Sequence, residues 1–265
     1  PIKVPGSLRR GGKDFHDSSP HGTLRLTLNG VMAKSSNIGT ILAAERIGGK
    51  KLSKYLKKFG IGQPTGLNFP GESNGFVPEH KNWSPTSFPT ISFGQGLSVN
   101  AVQVASVYST IANDGLRVEP SLVKRIIHED GTAEQPAAPK TTRVVSRDTA
   151  IQVRAMLESV VGEGGTATNA KIPGYRVGGK TGTAQVIDEL TGGYNDQVIA
   201  SFVGMAPADN LQLVVGVFVS QPQSGRYGGE LAAPVFKKVS SYALGALQIP
   251  PTGSKAPKLA LTFGG

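Results

Sequence analysis

Apolar residues recur at helical spacing through much of the chain, with polar residues between them. The pattern predicts helices over residues 23–33, 38–47, 50–59, 98–113, 146–161 and 231–247. In the third of these segments a lysine-rich face opposes an apolar face that consists of Leu52, Tyr55, Leu56 and Phe59. Ser146 is expected to cap the helix that follows it, because its hydroxyl can accept a free N–H of the first turn.

Strands are predicted toward the C-terminal end, where the helical period is lost. Segments 197–206 and 211–220 are rich in β-branched and aromatic residues, and the Pro-Ala-Asp-Asn sequence between them is typical of a hairpin turn. Segment 177–186 is also expected to be extended. Segment 60–93 is rich in Pro, Gly and Asn and is predicted to be a long ordered loop. Helices followed by consecutive strands and a final helix favour an α+β domain with an antiparallel sheet over alternating βαβ units.

The composition narrows the class of protein without identifying it. No apolar run approaches the ~20 residues of a membrane-spanning helix, and the lack of Cys excludes disulfides and thiolate metal sites. The His residues lack a metal-binding spacing such as H-E-x-x-H, so no metal or other cofactor is predicted. The net charge of +10 favours anionic neighbours. Zinc-finger spacing and basic strands with interleaved aromatics are missing, so nucleic acid is not predicted as a partner.

The sequence GYRVGGKTGTAQ (residues 174–185) matches two incompatible motifs. One is the G-x-x-x-x-G-K-T of a nucleotide-binding P-loop, which requires a buried strand before it and a helix after it. The preceding residues are polar and end in a proline, and Gly182 stands where the helix would begin, so nucleotide binding is the remote alternative. The other motif, K-T-G-T, predicts an extended strand in which Lys180, Thr181 and Thr183 bind a carboxylate.

Two serine motifs are candidates for chemistry elsewhere in the chain. Ser73 lies in G-x-S-x-G, but prolines flank this motif where a strand and a helix are required, so Ser73 is predicted to be a turn residue. Ser35-Ser36-Asn37 lies between two predicted helices, where an ordinary helix cap at Ser36 or Asn37 is one interpretation. The other is that Ser35 and Asn37 face one cavity, in which Ser35 transfers a proton and Asn37 binds a substrate amide.

Together, the S-x-N and K-T-G motifs resemble those of penicillin-binding proteins and serine β-lactamases. The closer similarity is to class B penicillin-binding proteins, the monofunctional D,D-transpeptidases of cell elongation and division. It extends over nearly the whole chain and rests on segments in the family's order: SSPHGTLRLTLNGVMAKSSNIGT, FGIGQPTGLNFPGESNGFVP, SFGQGLSVNAVQVASVYSTIANDG, PGYRVGGKTGTAQ, SFVGMAPA and YGGELAAPVF. The resemblance implies a β-lactamase/transpeptidase fold, with an antiparallel sheet packed with helices and an all-helical subdomain. Residues 1–248 would form a partial transpeptidase domain, followed by a Pro/Gly/Lys-rich tail at 249–265.

The resemblance also implies catalytic roles for three residues. Ser35 would pass a proton to or from the leaving or attacking amine. Asn37 would hold the side chain of the acyl donor. Lys180 would contribute positive potential and hydrogen bonds to the same proton network.

Substrate binding is implied for the strand residues that follow Lys180 and for a segment near the C-terminal helix. Thr181 and Thr183 would bind the carboxylate of a terminal D-Ala or of a β-lactam, and Gly182 would let the ligand lie against the backbone. The N–H of Thr183 would form half of the oxyanion hole. The cleft wall would be lined by Tyr227, Gly228 and Gly229.

In the family, the nucleophilic serine and its lysine lie in an S-x-x-K motif on a helix roughly 50–60 residues before S-x-N. Only 34 residues precede Ser35, so we expect this nucleophile, its lysine and the other half of the oxyanion hole to be absent from this chain. The expected function is part of a peptidoglycan D,D-transpeptidase that cross-links stem peptides through an acyl-serine intermediate and is inactive as this chain alone. A non-catalytic wall-binding or regulatory relative is the alternative.

The same resemblance implies partners and a location for the whole protein. It would bind stem peptides ending in D-Ala-D-Ala and β-lactams, and it would work with proteins of an elongation or division complex. A missing N-terminal anchor would hold it at the extracytoplasmic face of the bacterial cytoplasmic membrane.

Overall fold

The computed structural model describes residues 1–187 and 193–264. The helices are α1 (Leu28–Ala33), α2 (Asn37–Glu45), α3 (Gly49–Lys58), α4 (Ser87–Ser92), α5 (Ala101–Ala112), α6 (Arg147–Val161) and α7 (Gly228–Ala246). The strands are β1 (Ile2–Val4), β2 (Leu8–Arg10), β3 (Lys13–Phe15), β4 (Leu24–Leu26), β5 (Leu116–Val118), β6 (Ile126–Ile127), β7 (Ala133–Glu134), β8 (Thr141–Arg143), β9 (Gly178–Ile187), β10 (Tyr194–Ala206) and β11 (Leu213–Ser220). Within the described ranges, no helix combines the length and apolar composition needed to cross a bilayer.

The three longest strands form one antiparallel sheet in the order β11–β10–β9. This confirms the extended segments predicted at 177–186, 197–206 and 211–220. It also confirms the hairpin between the last two, where Ala206 pairs with Leu213. β9 lies at the end of the sheet, and its outer edge has no strand partner among the described residues. One edge of the K-T-G-T strand is therefore open to an extended ligand.

Helices pack on both faces of the sheet because side chains alternate along β10. Phe202 is fully buried and packs edge-on against Phe236 of α7, with ring centroids 4.8 Å apart. Met205 belongs to a different buried cluster, together with Ile111 of α5 and Leu157 of α6. The α+β class predicted from the sequence is therefore confirmed, with helices on either side of an antiparallel sheet.

The single helix predicted over residues 23–33 is wrong in its first half. Leu24–Leu26 forms β4, which pairs antiparallel with β1, and α1 begins only at Leu28. The side chain of Thr27 caps α1 by accepting a hydrogen bond from the N–H of Gly30 at 3.0 Å. The local period did not reveal the strand because its stability comes from a distant partner at the start of the chain.

The other predicted helices are present, with ends shifted by a few residues. The predicted cap of α6 is confirmed, since the side chain of Ser146 accepts a hydrogen bond from the N–H of Thr149. α5 begins later than expected because Asn100 and Gln103 form a capping box at its start. Segment 60–93, predicted to be a loop, also contains α4 and a short 3-10 helix.

The residues that follow α7 run back to the opposite end of the chain. The N–H of Thr27 donates to the carbonyl oxygen of Leu261 at 3.0 Å, and the N–H of Phe263 donates to that of Arg25 at 3.1 Å. This C-terminal segment therefore lies against β4 and the start of α1, the helix that leads to Ser35.

Candidate active site

Lys180 and Ser35 come together although 145 residues separate them along the chain. Nζ of Lys180 donates a hydrogen bond to Oγ of Ser35 at 2.5 Å. It also donates to the carbonyl oxygen and to Oγ1 of Thr181, at 3.0 and 3.4 Å. Each of the three protons of the ammonium group therefore has an acceptor. The structure places the K-T-G-T strand and the S-x-N turn in one site.

Burial changes the acidity of this lysine. It lowers the pKa of Lys180 to about 8, because the ammonium group loses hydration in the interior. The charged form still predominates at neutral pH, but it releases its proton more readily than an exposed lysine does. No carboxylate of the described residues forms an ion pair with Lys180, so its charge is available to attract an anionic ligand.

Ser35 is presented by a sharp turn between α1 and α2. Its backbone is left-handed, with φ of 54°, a conformation that costs a residue with a Cβ roughly 1–2 kcal/mol. The N–H of Ser35 donates to the carbonyl oxygen of Met32 at 3.2 Å, and that of Ser36 to Val31 at 3.0 Å. The turn therefore closes directly on α1 and leaves the Ser35 hydroxyl beside Lys180 instead of continuing the helix.

The three strand residues predicted to bind substrate, of which Thr181 and Thr183 would hold its carboxylate and Gly182 would allow its close approach, follow one another along β9. Oγ1 of Thr181 lies 2.9 Å from Oγ1 of Thr166, which belongs to the turn after α6. A Cβ added at Gly182 would lie 2.5 Å from Oγ of Ser201, which would have to turn away. Thr183 is exposed on the same strand. These residues provide hydroxyl groups and closely approachable backbone along the open edge of the sheet.

The predicted cleft wall lies next to the same strand, at the start of α7. A Cβ at Gly228 would lie 2.0 Å from the backbone oxygen of Ser201 and 2.8 Å from that of Gly182. Gly229 is equally close to the backbone of the turn after α6. The side chain of Tyr227 is exposed. Gly228 therefore lets α7 lie close to β10 and β9, and Gly229 lets it lie close to the turn after α6.

Asn37 is the first residue of α2, and its amide group is only partly used within the protein. Nδ2 donates to the carbonyl oxygen of His16 at 3.1 Å, whereas Oδ1 has no hydrogen-bond partner among the described residues. Oδ1 is therefore able to accept the N–H of a ligand amide. The helix cap considered as the alternative interpretation is also present, because Oγ of Ser36 accepts the N–H of Gly39 at 2.9 Å. The middle residue of S-x-N caps the helix, and Ser35 and Asn37 are left for other contacts.

Sequence reasoning missed two buried carboxylates that support the site. Asp17 accepts hydrogen bonds from Oγ of Ser36 at 2.6 Å and from the N–H of Ile38 at 2.9 Å. Glu158 of α6 accepts two bonds from the guanidinium of Arg176, at 2.7 and 2.8 Å, and this pair raises the pKa of Arg176. The second pair fixes the segment that leads into β9. Neither contact follows a local spacing rule, because the partners are distant in sequence.

One S-x-x-K sequence does occur in the chain, at residues 121–124, and the prediction of an absent nucleophile did not take it into account. It lies in the exposed connection after β5 and not on a helix. Oγ of Ser121 donates to the carbonyl oxygen of Val123 at 3.1 Å, and among the described residues it has no hydrogen bond to Lys124 or Lys180. These contacts give no support for Ser121 as the nucleophile.

The structure does not form the other two motifs as functional sites. β9 continues through Thr181 to its end at Ile187, so no helix follows G-x-x-x-x-G-K-T and the P-loop geometry is not formed. Ser73 accepts the N–H of Gly75 at 3.2 Å, as expected of a turn residue. In the part of the chain that the structure describes, no three metal-binding side chains cluster together.

Comparisons with known proteins agree with this geometry. Residues 2–241 match the family described as the penicillin-binding protein transpeptidase domain. Penicillin-binding protein PbpB of Mycolicibacterium smegmatis is 40% identical, and the match covers 98% of this chain and 42% of the relative. The probable peptidoglycan D,D-transpeptidase PbpC of Pseudomonas aeruginosa is 38% identical, with 94% of this chain and 42% of the relative covered. The chain therefore spans less than half the length of these relatives.

Solved structures give the same result for the fold. Penicillin-binding protein 3 of Mycobacterium tuberculosis in complex with ampicillin superposes with a TM-score of 0.93 and is 39% identical, covering 99% of this chain and 60% of that chain. The complex of the same protein with aztreonam gives a TM-score of 0.91. The predicted β-lactamase/transpeptidase fold is thereby confirmed. The chain belongs to the penicillin-binding protein transpeptidase family, in the class B group that its motifs indicate.

Proposed function

We propose that this chain is the larger, C-terminal part of a peptidoglycan D,D-transpeptidase domain. The observation that carries the proposal is the 2.5 Å hydrogen bond from Nζ of Lys180 to Oγ of Ser35, which joins the K-T-G-T and S-x-N motifs. The relative from Pseudomonas aeruginosa is named a probable peptidoglycan D,D-transpeptidase, which supports the same activity. The substrate is a stem peptide that ends in D-Ala-D-Ala.

The substrate is bound along the open edge of β9 as an added strand. The hydroxyls of Thr181 and Thr183 and the charge of Lys180 hold the terminal carboxylate. Oδ1 of Asn37, which has no partner among the described residues, accepts an amide N–H of the acyl donor. The backbone N–H of Thr183 faces the reacting carbonyl as half of the oxyanion hole.

The reaction consists of two acyl transfers. In the first, a serine oxygen attacks the carbonyl carbon of the penultimate D-Ala, the C–N bond breaks, and the terminal D-Ala leaves as an amine with the proton from the serine. In the second, the amine of a neighbouring stem peptide attacks the ester, and the serine oxygen leaves and regains a proton. Ser35 and Lys180 pass the proton between the serine and the departing or attacking nitrogen.

The nucleophilic serine and its lysine come from polypeptide outside this chain. Ser121 is exposed, and among the described residues it has no hydrogen bond to Lys124 or Lys180. Both observations support this assignment. The chain alone should therefore bind carboxylate ligands weakly and should not form an acyl-enzyme. The whole protein acts at the extracytoplasmic face of the cell envelope and is a target of β-lactams.

The test is covalent labelling with a fluorescent penicillin. We expect the full-length gene product to give a denaturation-resistant labelled band and this chain alone to give none. Labelling of the full-length protein should decrease in Lys180→Met, and Lys124→Met should leave it unchanged because that lysine is exposed in a distant connection. Stoichiometric labelling of the chain alone would overturn the assignment of the nucleophile, and Ser121→Ala would then show whether Ser121 is modified.

The same measurement distinguishes the proposed transpeptidase from the alternative, a non-catalytic wall-binding relative. A full-length protein that binds peptidoglycan but is never labelled, and whose gene has no S-x-x-K before residue 1 of this chain, would be a binding protein. A labelled serine in such an upstream motif would exclude that alternative.

A further inference from the structure

We propose that Asp17 and His21 are positioning residues that hold the S-x-N motif in its reactive arrangement. The inference rests on the proposed function, in which Ser35 transfers a proton and Asn37 binds the substrate amide. Neither Asp17 nor His21 contacts Lys180 or the K-T-G-T strand in the hydrogen bonds of the described residues, so any effect on the reaction must pass through the motif.

Asp17 supplies the negative charge that the N-terminus of α2 lacks. The first turn of α2 contains no acidic residue, and the carboxylate of Asp17 reaches it from the loop after β3. Oδ2 accepts the hydroxyl of Ser36 at 2.6 Å, and Oδ1 accepts the N–H of Ile38 at 2.9 Å. A carboxylate is favoured at this end of a helix by the helix dipole and by the free N–H groups. Ser36 and Ile38 flank Asn37, so the two bonds hold the chain on either side of it, one through a side chain and one through the backbone.

His21 holds the carboxylate of Asp17 from the other side. Nε2 of His21 donates to Oδ2 of Asp17 at 3.0 Å, and Nδ1 donates to the carbonyl oxygen of Gly22 at 2.5 Å. Both ring nitrogens face acceptors, and only the protonated imidazolium can donate to both. The bond to Gly22 and the interaction with Asp17 raise the pKa of His21. The two side chains are 14% and 9% exposed, so the ion pair lies largely out of solvent.

The same loop also holds the last residue of the motif. The carbonyl oxygen of His16, next to Asp17, accepts Nδ2 of Asn37 at 3.1 Å. The loop 16–21 therefore holds S-x-N at the side chains of Ser36 and Asn37 and binds the backbone N–H of the next residue, Ile38.

The first residue of the motif needs this support most. Ser35 is left-handed, with φ of 54°, and such a conformation persists only where the surrounding structure determines it. When Asp17 is lost, we expect the turn to relax and the Ser35 hydroxyl to move away from Lys180.

The first experiment reads the position of Ser35 without requiring the nucleophile. In protein labelled with ¹³C at the ε-carbon of lysine, the titration midpoint of Lys180 is followed by NMR in wild type and in Asp17→Asn. We expect a displaced midpoint in Asp17→Asn, because the bond from Lys180 to Ser35 is weakened. Asp14→Asn is the matched control: it removes one carboxylate from an exposed pair with Arg9 on the neighbouring hairpin and should leave the midpoint unchanged. An unchanged midpoint in folded Asp17→Asn would overturn the proposal.

The second experiment measures penicillin acylation of the full-length protein in a double-mutant cycle. Asp17→Asn should lower the acylation rate constant about tenfold or more, as misplacement of a reacting group does. The same change made in Ser35→Ala should have a much smaller effect, since the group it positions is already gone. Equal fold-changes in the wild-type and Ser35→Ala backgrounds would show that Asp17 has only a general stabilising role and would overturn the proposal.

The outcomes separate this inference from the proposed function. If wild type is never acylated, the proposed function fails, whereas the Lys180 titration still decides the positioning role. If Asp17→Asn does not fold, His21→Gln replaces it, since Gln retains a donor for Asp17 but no charge. His21→Gln should also displace the Lys180 midpoint from its wild-type value, and a wild-type titration in folded His21→Gln would contradict the role of the pair.

Discussion

Nζ of Lys180 donates a hydrogen bond to Oγ of Ser35 at 2.5 Å, and this bond connects the edge strand of the sheet with the turn between two helices. Each partner depends on its own part of the fold: Lys180 on the sheet, Ser35 on the left-handed turn after α1. The contact between Lys180 and Ser35 is therefore a property of the interface between the two parts, and not of either motif alone.

The first prediction is that Ser35 and Lys180 act as a unit. In the full-length protein, Ser35→Ala and Lys180→Met should each lower the rate of β-lactam acylation by about 10²-fold or more, since each removes a member of the proton path. The double variant should be little worse than the poorer single variant, because groups that act together are non-additive. Stopped-flow acylation of the four proteins measures this, and strictly multiplicative losses would show that the two groups act separately.

The second prediction concerns the charge of Lys180. Its pKa of about 8 means that the ammonium group is lost as pH rises through that value. Affinity for a ligand that depends on its carboxylate should fall over the same range, and a matched ligand methyl ester should show no such change. The pH dependence should disappear in Lys180→Met. Binding titrations between pH 6 and 10 give the result, and a carboxylate affinity that is constant with pH would contradict it.

The third prediction concerns the effect of the buried Lys180 ammonium group on the free energy of unfolding. The folded-state pKa of Lys180 lies below its usual value of 10.5, so burial penalises folding fully below pH 8. The penalty declines as pH rises from about 8 to 10.5, because the folded state loses its proton first. Lys180→Met should therefore raise the free energy of unfolding at pH 7 by about 1–3 kcal/mol, and the gain should shrink toward pH 10. Urea unfolding at both pH values measures it; a gain that grows with pH would be the wrong sign.

The fourth prediction compares two glycines of α7. Gly228→Ala would place a Cβ 2.0 Å from the backbone oxygen of Ser201 in β10, so the helix must move away from the sheet at a cost of about 1–3 kcal/mol or more. Gly245→Ala has no atom within 4 Å of the new Cβ and should instead stabilise the helix by about 0.5–1 kcal/mol. We expect the two substitutions to change the free energy of unfolding in opposite directions. Acylation should be impaired only in Gly228→Ala. Equal effects would mean that the close approach at Gly228 is not required.

The fifth prediction concerns the ion pair that leads into β9. The side chain of Glu158 is only 3% exposed and accepts two bonds from Arg176. Glu158→Ala leaves the largely buried guanidinium with its bond to Ser254 but without its carboxylate, and should destabilise the protein by about 3–5 kcal/mol. The exposed pair of Arg9 and Asp14 is the control, and Asp14→Ala should change stability by less than about 1 kcal/mol. Comparable losses in the two variants would contradict the dominant role of burial.

Sequence patterns predicted the elements whose stability is local and missed those that depend on distant partners. The hairpin of β10 and β11 has alternation and turn residues of its own, and Ser146 caps its helix through a neighbour three residues on. β4 was mistaken for helix because its partner β1 is not its neighbour along the chain but lies beyond the hairpin of β2 and β3.

The same distinction holds for the site. Ser35, Asn37 and Lys180 were predicted from motif spacing, and the structure brings Ser35 and Lys180 into contact, while their catalytic roles stay predictions. Asp17 was missed because its bonds to Ser36 and Ile38 depend on how the loop after β3 folds onto α2. Contacts with substrate also stay predictions for the residues that lie around β9, namely Thr181, Gly182, Thr183 and residues 227–229.

The C-terminal segment sets a practical limit on how the domain can be shortened. The family match ends at residue 241, yet the backbone of Leu261 bonds to Thr27, and a Cβ at Gly30 would lie 1.9 Å from the same Leu261 oxygen. A protein expressed only as far as residue 241 would lack Leu261 and would thus expose the start of α1, the helix that presents Ser35. An internal tag in the exposed residues 137–139, between β7 and β8, would avoid the contact of Leu261 with Thr27.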